Sequence, residues 1–347
     1  MPGPIISLVM RVIVFSSKQW DRTYLGEAFA DRPHQLTFVE THLDAATAPL
    51  ADGHDVACLF VNDHADAAAL DALHRSGVRA IVLRCAGFNN VDLAAAERLD
   101  VPVLRVPAYS PHSVAEHAVA LTLAIMRRVH RAYTRTRDGN FALDGLLGRE
   151  LHGCTVGVVG TGEIGRVVAR IFRGFGCSVL ASDPFPDAEL AAEPGIDYVP
   201  IDELLASSDV ITLHCPLTPE TYHLVDADAI ERMRPGAILI NTSRGAVVDA
   251  PALIDGIKAE RLGGVALDVY EEEGDVFFED VSSRVLHDDV LARLTSFPNV
   301  LITSHQAFFT REAITQIAAT TRANVDALAA GDLPERNRVL ADAAVAK

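Results

Sequence analysis

The sequence predicts an α/β protein made of two doubly wound parallel-sheet domains with a cleft between them. Short apolar strands alternate with helix-length segments from one end of the chain to the other, which is the pattern of parallel α/β sheets. The chain is also long for one domain, at 347 residues, so two domains are expected. A third observation is a final amphipathic helix, which follows a set of strands that is already complete.

The first domain is predicted from five apolar strands, with helical stretches rich in alanine and leucine between them. The strands are expected near 11–15, 36–40, 56–61, 80–84 and 102–106. A turn-like stretch at Tyr109–His112 then precedes one long helix, expected from about Ser113 to Arg131.

The second domain begins near Leu151 and contains a glycine-rich turn. The apolar strand Thr155–Val159 leads into Gly160-Thr161-Gly162-Glu163-Ile164-Gly165, a helix-like run follows, and a second strand ends at Asp183. An acid about 20 residues after such glycines is typical of dinucleotide sites. The glycines would form the turn, admit a pyrophosphate and let the helix pack on the strand, with the helix N-terminus facing the phosphate charge. Asp183 would bind the ribose hydroxyls and repel a 2′-phosphate, which predicts NAD rather than NADP.

The later strands, expected at 209–213, 237–241, 264–268 and 300–303, complete a six-strand set. The helix Arg311–Ala330 comes after this set, and we expect it to dock on the first domain. The predicted architecture is therefore two Rossmann/flavodoxin-like domains. The substrate-binding domain is discontinuous, 1–109 plus 308–347, and the NAD-binding domain spans 110–307.

Composition excludes some classes of protein. The net charge of −17 argues against nucleic acid and anionic membranes as main partners. The five cysteines are scattered without a CxxC pair, which fits a reducing cytoplasm rather than a disulfide framework. No apolar run reaches the length of a membrane span. The apolar start lacks the features of a signal peptide, and either Met1 or Met10 can serve as the start.

The residues that follow the strands of the second domain suggest its chemistry, because ligands bind beyond the carboxyl ends of such strands. His214-Cys215-Pro216 follows one strand and Thr242-Ser243-Arg244-Gly245 follows the next. The third ends at Asp268, shortly before Glu271-Glu272-Glu273, and the last leads into Ser304-His305-Gln306. One cation, one acidic cluster and one imidazole are thus expected on one rim.

These three groups suit hydride transfer to a 2-oxo acid. A guanidinium can bind the substrate carboxylate bidentately and polarise the neighbouring carbonyl. A histidine can donate the proton that the carbonyl oxygen needs, and a carboxylate beside it would orient it and stabilise its protonated form.

Each group also has an ordinary structural interpretation. Arg244 alone could form an ion pair at the rim, and His305 alone could be structural. The run Glu271–Glu273 alone would usually be a solvated loop, and its composition would also suit a metal, although no metal is part of the predicted site. The joint placement at three strand ends favours the catalytic interpretation.

Three segments resemble the signatures of the NAD-dependent D-2-hydroxyacid dehydrogenases. They are Ile240–Gly245, Asp268–Glu273 and Ser304–Phe308. Further stretches make the sequence similar to the bacterial D-lactate dehydrogenases within that family; these are Phe15–Gln19, Phe60–Asp63, Leu83–Asp92, Val106–Tyr109 and an insert from Asp275 to Val290. The resemblance extends over nearly the whole chain from Met10.

The resemblance implies reversible reduction of pyruvate to D-lactate by NADH, with these roles. The catalytic residues would be Arg244, Glu273 and His305. Substrate would be bound by Ala86, Gly87, Phe88, Tyr109 and Phe308, the last lining a small pocket. NAD would be bound by Gly160, Gly162, Glu163, Ile164, Gly165, Asp183, Cys215, Pro216, Thr221, Thr242, Ser243, Arg244 and Asp268, with Asp268 meeting the carboxamide.

The sequence also fits other substrates and another class of protein. The same scaffold could reduce hydroxypyruvate, glyoxylate, phenylpyruvate or branched-chain 2-oxo acids, since one methylene changes selectivity by only about 1–3 kcal/mol. A protein that binds NAD as a sensor is a rival from another class. The helix from Ser113 exceeds what one domain needs for its packing, and the resemblance places it in a dimer interface, so a homodimer or homotetramer is expected. Helices this apolar can also be fully internal.

Overall fold

A computed structural model describes residues 9–273 and 276–340. Met1 and Asp275, the first residue of the predicted insert, lie outside the described residues. The elements in chain order are β1 (Arg11–Val14), α1 (Gln19–Phe29), β2 (Gln35–Phe38), β3 (Val56–Leu59), α2 (Ala67–Arg75), β4 (Ala80–Leu83), α3 (Leu93–Arg98), β5 (Val103–Leu104), α4 (Pro111–Met126), α5 (Val129–Arg137), β6 (Thr155–Val159), α6 (Glu163–Gly174), β7 (Ser178–Ser182), α7 (Ala188–Ala191), β8 (Ile196–Tyr198), α8 (Ile201–Ser207), β9 (Val210–Leu213), α9 (Ala227–Arg232), β10 (Ala237–Asn241), α10 (Ala250–Lys258), β11 (Leu262–Leu267), α11 (Asp289–Ser296), β12 (Val300–Ile302), α12 (Arg311–Ala329) and β13 (Arg338–Val339).

The chain divides after Ser110 and again after Phe308 into two compact units. The first unit contains the chain up to Ser110 together with the segment that starts at Phe309. The second unit is the continuous stretch between them.

The sheet of the first unit has the order β13-β5-β4-β3-β1-β2. Strands β1 to β5 are parallel, and β13 pairs antiparallel with β5. The order 2-1-3-4-5 within the parallel part is the flavodoxin arrangement. Val325 and Leu328 of α12 are buried in one apolar cluster with Val12 and Val82 of the sheet, so the final helix covers one face of this sheet.

The sheet of the second unit has the order β12-β11-β10-β9-β6-β7-β8, with every pair parallel. The strand order reverses at β6, which lies between β7 and β9. Dinucleotides bind at the carboxyl ends of the strands beside such a reversal. Apolar residues fill both faces; Val158 and Phe172 are buried on one side, and Leu213 and Leu239 on the other. The prediction of two parallel-sheet α/β domains is therefore confirmed.

Two short strands were not predicted. β8 extends the second sheet beyond the six expected strands, and β13 closes one edge of the first. They are three and two residues long, and neither has the apolar run on which the prediction depends. Among the described residues, no helix is both long and apolar enough to cross a membrane.

The single helix predicted from about Ser113 to Arg131 is wrong, because the segment forms two helices, α4 and α5. Arg128 between them has a φ of +51°, in the left-handed region. The end of α4 is covered by the chain near Gly148, where a Cβ would collide with the carbonyl oxygen of Met126. That carbonyl accepts a hydrogen bond from the Arg149 amide at 3.2 Å. The backbone that crosses here therefore stops the helix.

The sequence predicts that this helix has more apolar surface than one domain needs for its own packing, and the structure differs from that prediction. Ala118, Leu121 and Ile125 are buried in the same cluster as Val168 and Phe172 of α6. Much of the apolar surface of α4 is thus used inside its own unit.

Candidate active site

Three glycines shape the turn between β6 and α6. Gly160 has a φ of +89°, and a Cβ there would lie 2.6 Å from the amide nitrogen of Cys215, so only glycine fits without strain. A Cβ on Gly165 would collide with the carbonyl oxygen of Gly160, because α6 packs directly on the turn. Gly162 has open space at its Cβ position and precedes Glu163, the first residue of α6. An anionic group can therefore approach the N-terminus of the helix from this side.

Asp183, at the end of β7, is fixed to this turn. Its carboxylate accepts hydrogen bonds from the backbone N–H of Thr161 at 2.6 Å and from the Thr161 hydroxyl at 3.1 Å. It also accepts one from the backbone N–H of Phe185 at 2.8 Å. Tyr198 on β8 donates its hydroxyl proton to Thr161 at 2.8 Å. The acid predicted to bind the ribose is thus held against the glycine turn.

His305 and Glu273 form a close pair. The Nδ1 atom of His305 lies 2.7 Å from Oε1 of Glu273. The other oxygen of Glu273 accepts a hydrogen bond from the Tyr270 backbone N–H at 3.1 Å, which fixes the carboxylate. Glu271 instead faces His223 at 3.1 Å, and Glu272 is exposed. Of the three neighbouring glutamates, only Glu273 is positioned to orient the His305 ring.

The turn that carries His305 is held by Asp268, which is fully buried. The Asp268 carboxylate accepts hydrogen bonds from the Thr303 hydroxyl at 2.6 Å and from the backbone N–H groups of Gln306 and Ala307, each at 2.9 Å. The backbone carbonyl of Asp268 accepts a hydrogen bond from the His305 N–H at 2.7 Å. His305 itself has a φ of +52°, in the left-handed region. Burial alone raises the pKa of Asp268, but its hydrogen bonds, with that from His117 foremost, outweigh burial and lower the pKa below its usual range. Asp268 is therefore ionised at neutral pH and anchors the turn.

Arg244 follows β10, where polar side chains shape the backbone. The Asn241 side chain donates to the Arg244 carbonyl at 2.9 Å and accepts from the Ser243 hydroxyl at 2.8 Å. A Cβ on Gly245 would collide with the backbone of Tyr270, so this turn packs closely on the segment that leads to Glu273. Arg244 is half-buried, and within residues 9–273 and 276–340 its guanidinium has no carboxylate partner. It is a cation available to an anionic ligand.

The other residues predicted to contact NAD lie at the ends of β9 and β10. Thr221 donates its hydroxyl proton to the Pro216 carbonyl at 2.6 Å and closes the loop after β9. The Thr242 hydroxyl is buried and has no hydrogen-bond partner in the described part of the chain, as expected for a group that contacts a bound ligand. Burial raises the pKa of the Cys215 thiol to about 11, so the group is a neutral thiol at neutral pH. Burial lowers the pKa of His214 to about 3, so this imidazole is neutral at neutral pH and is not the protonated histidine that the reduction needs.

The predicted substrate-binding residues fall in both units. Ala86, Gly87 and Phe88 form the loop after β4 in the first unit, and the half-buried Tyr109 follows β5. The buried ring of Phe308 belongs to the second unit, with its centroid 6.4 Å from that of His305. The centroid of the Phe278 ring lies 5.7 Å from that of the same imidazole.

No three acidic, cysteine or histidine side chains that could hold a metal ion lie together among the described residues. The donor groups fit a dinucleotide instead. The glycine turn, the open helix N-terminus, the fixed carboxylate of Asp183 and the unpartnered Thr242 hydroxyl all lie along the carboxyl edge of one sheet.

The model of the D-isomer specific 2-hydroxyacid dehydrogenase, NAD binding domain, matches residues 119–307. This is more than half of the chain. The chain belongs to the D-2-hydroxyacid dehydrogenases. The resemblance noted in its signature segments is thereby confirmed, and so is NAD as the cofactor of this NAD-dependent oxidoreductase.

Related dehydrogenases extend this result beyond the NAD-binding domain. The chain is 49% identical to the D-lactate dehydrogenase of Escherichia coli over 323 residues, which are 93% of this chain and 98% of that enzyme. The apo-structure of that enzyme superposes with a TM-score of 0.87 over 95% of this chain and 100% of the other, at 46% identity. The D-lactate dehydrogenase of Aquifex aeolicus, solved with NAD and lactic acid, has a TM-score of 0.84 over 95% and 99% of the two chains, at 34% identity.

Some residues that shape this dehydrogenase site were not predicted from the sequence. Thr161 lies inside the glycine motif, so its contact with Asp183 could have been suspected. Tyr198 sits on an unpredicted strand, and His117, which lies 3.3 Å from Asp268, comes from a helix far away in sequence. Nothing in the local pattern pointed to either residue.

Proposed function

We propose that this dehydrogenase catalyses the reversible, NADH-dependent reduction of pyruvate to D-lactate. The observation that carries the proposal is the His305–Glu273 pair, with Nδ1 and Oε1 2.7 Å apart. A histidine oriented in this way is a suitable proton donor to a carbonyl oxygen. The identity of 49% with the D-lactate dehydrogenase of Escherichia coli supports pyruvate as the 2-oxo acid.

Arg244 is proposed to bind the substrate carboxylate and the carbonyl oxygen. Its half-buried guanidinium donates to the Ser243 carbonyl at 2.7 Å but has no carboxylate partner among the described residues, so a substrate carboxylate would supply the missing counter-charge. The planar fork of arginine matches a carboxylate with two parallel hydrogen bonds. As negative charge develops on the carbonyl oxygen, the same cation would stabilise it.

His305 is proposed to donate its Nε2 proton to that oxygen. Because Nδ1 faces Glu273, the ring is oriented with Nε2 available, and no described residue hydrogen-bonds to Nε2. Asp268 acts on this step by fixing the turn that carries His305. In the oxidation of D-lactate, the same imidazole would accept the proton.

The remaining predicted residues are proposed to bind and enclose the ligands. Ala86, Gly87, Phe88 and Tyr109 would bind the carboxylate, and Phe308 beside His305 would favour a small methyl group. Bound NADH supplies the hydride. The cofactor is proposed to lie along Gly160, Gly162, Glu163, Ile164, Gly165, Asp183, Cys215, Pro216, Thr221, Thr242, Ser243 and Asp268. The carboxylate of Asp268 is already engaged with the 303–307 turn, which makes the anchoring of His305 its best supported role.

Steady-state NADH oxidation at 340 nm with a panel of 2-oxo acids tests the proposal. Pyruvate is expected to give a higher kcat/KM than glyoxylate, hydroxypyruvate, phenylpyruvate or a branched-chain 2-oxo acid. Preference for a bulkier acid would contradict the choice of pyruvate while leaving the catalytic residues in place. Binding of NADH without turnover of any of them would favour the sensor alternative.

Replacing Asp183 with alanine is expected to reduce the preference for NADH over NADPH. The substitution removes the carboxylate that would repel a 2′-phosphate, together with two hydrogen bonds from Thr161 of the glycine turn and one from the Phe185 N–H. The ratio of kcat/KM for the two cofactors measures the effect, and Glu189→Ala, which changes a nearby exposed acid, is the matched control. An unchanged ratio would remove Asp183 from the ribose site.

The protein is also proposed to self-associate, with an interface centred on α5 and the segment that follows it. Tyr133, Phe141, Leu143 and Leu147 are 61%, 77%, 81% and 88% exposed, which is unusual for large apolar residues in such a group. Sedimentation is expected to give a dimer or tetramer, and Leu143→Asp is expected to weaken it. A monomer at micromolar concentration would contradict the proposal.

A reducing compartment such as the cytoplasm suits the five free, buried cysteines of the protein.

A further inference from the structure

The loop Cys85–Phe88, after β4, has both of its central carbonyl groups tied to the protein. The Ala86 carbonyl accepts a hydrogen bond from Nη1 of Arg105 at 2.9 Å. The Gly87 carbonyl accepts one from the Cys85 thiol at 3.3 Å. The backbone N–H groups of Ala86 and Gly87 donate to no acceptor in the described part of the chain.

The anchoring of the Ala86 carbonyl determines where an N–H group points. A trans peptide is planar, and its C=O and N–H point in opposite directions. The Ala86 carbonyl and the Gly87 N–H belong to the same peptide. Because Arg105 holds that carbonyl, the Gly87 N–H points to the side of the peptide opposite Arg105, where it has no acceptor among the described residues.

Arg105 also carries a charge that lacks a counter-ion. It is half-buried, its guanidinium carbon lies 5.1 Å from the centroid of the Phe88 ring, and burial lowers its pKa. Across the described ranges, no carboxylate forms an ion pair with it. A partly desolvated cation is costly unless an anion accompanies it, so the loop has a positive field that a bound carboxylate would neutralise.

The position of Arg105 is fixed by the returning C-terminal segment. Its backbone N–H donates to the Asn337 carbonyl at 2.8 Å, and its carbonyl accepts from the side chain of the fully buried Asn324 at 3.0 Å. The Asn337 side chain in turn donates to that of Asn324 at 2.7 Å. Two hydrogen bonds thus hold the main chain of Arg105, directly after β5, and the third joins its two partners in α12 and in the segment before β13.

We infer that Arg105 is a positioning residue for the carboxylate of the 2-oxo acid. It fixes the direction of the Gly87 N–H and adds a positive charge beside it, and the C-terminal segment holds it in place. This inference rests on the proposed function, because it takes the Ala86–Phe88 loop as a carboxylate-binding element.

Substitution of Arg105 tests the inference. Arg105→Met is expected to raise KM for pyruvate by about 10- to 100-fold, the size of a lost charge-assisted hydrogen bond. KM for NADH and kcat at saturating pyruvate are expected to change little. Arg105→Lys keeps the charge without the planar fork and is expected to give an intermediate KM. Arg79→Met is the matched control, since Arg79 is an exposed arginine of the same unit that pairs with Asp55 at 3.1 Å.

The outcomes separate this inference from the proposed function. An unchanged KM for pyruvate in Arg105→Met, or in Arg105→Lys if the methionine variant does not fold, would overturn the inference while the wild-type activity still supports the proposed function. A parallel fall in kcat, NADH affinity and Tm would also overturn it, because it would indicate a general structural role. If the wild type turns over no 2-oxo acid, the proposed function fails.

In that case, calorimetry with oxamate, a carboxylate analogue of pyruvate, tests the role of Arg105 alone. Weaker oxamate binding by Arg105→Met than by the wild type supports the inference, and equal or absent binding overturns it.

Discussion

Replacing His305 with glutamine is expected to lower kcat with pyruvate by about 10²- to 10⁴-fold, the usual contribution of a positioned acid or base. Glutamine can still accept or donate hydrogen bonds near Glu273, but it cannot give up a proton at neutral pH. KM for NADH is expected to stay close to its original value, because His305 lies on the turn after β12, away from the glycine turn after β6. Stopped-flow or steady-state measurement of NADH oxidation checks the effect.

A matched control exists in the same unit for the His305 experiment. His223 also pairs with a glutamate, Glu271, at 3.1 Å, and it also has a positive φ, of +50°. His223→Gln is expected to retain most of the turnover. Near-normal kcat in His305→Gln, or equal losses in the two variants, would show that His305 is not the proton donor.

Replacing Arg244 with lysine is expected chiefly to raise KM for pyruvate, by about 10- to 100-fold. Lysine keeps the positive charge but loses the planar pair of donors that matches a carboxylate. A smaller decrease in kcat should accompany the change, since one donor to the developing oxyanion is lost. Initial rates over a range of pyruvate concentrations separate the two parameters.

Arg149→Lys is a suitable control for the Arg244 experiment. Arg149 is 55% exposed at its side chain and pairs with Asp209 at 3.1 Å, so its substitution is expected to leave KM for pyruvate unchanged. An Arg244→Lys enzyme with normal KM and kcat would remove Arg244 from the substrate site.

The parts of the fold that sequence predicts well have a clear physical signal. Strands such as β6 and β10 are continuous apolar runs, because parallel strands are buried on both faces. β8 and β13 have no such run, since edge strands of two or three residues need little apolar surface. The end of α4 was missed because it depends on contact with Gly148, a residue 22 positions after Met126 by sequence number, and no local pattern encodes that contact.

The residues of the candidate site could likewise be predicted where a local pattern places them. Arg244, Asp268 and His305 could be predicted to lie on one rim, because the carboxyl ends of parallel strands meet at one edge of a sheet. The choice of Glu273 over Glu271 came from family resemblance, and in the structure it depends on which side chain reaches His305. The hydrogen bond from Arg105 to the 86–88 loop could not be predicted, because the position of Arg105 depends on contacts with Asn324 and Asn337, which are far away in sequence.

Reduction of pyruvate with NADH deuterated at the transferring C4 position follows the proposed hydride transfer itself. The expected product is D-lactate carrying one deuterium at C2, as resolved by chiral chromatography and mass spectrometry. L-lactate as the product, or D-lactate without deuterium at C2, would contradict direct hydride transfer to the face assigned by this family.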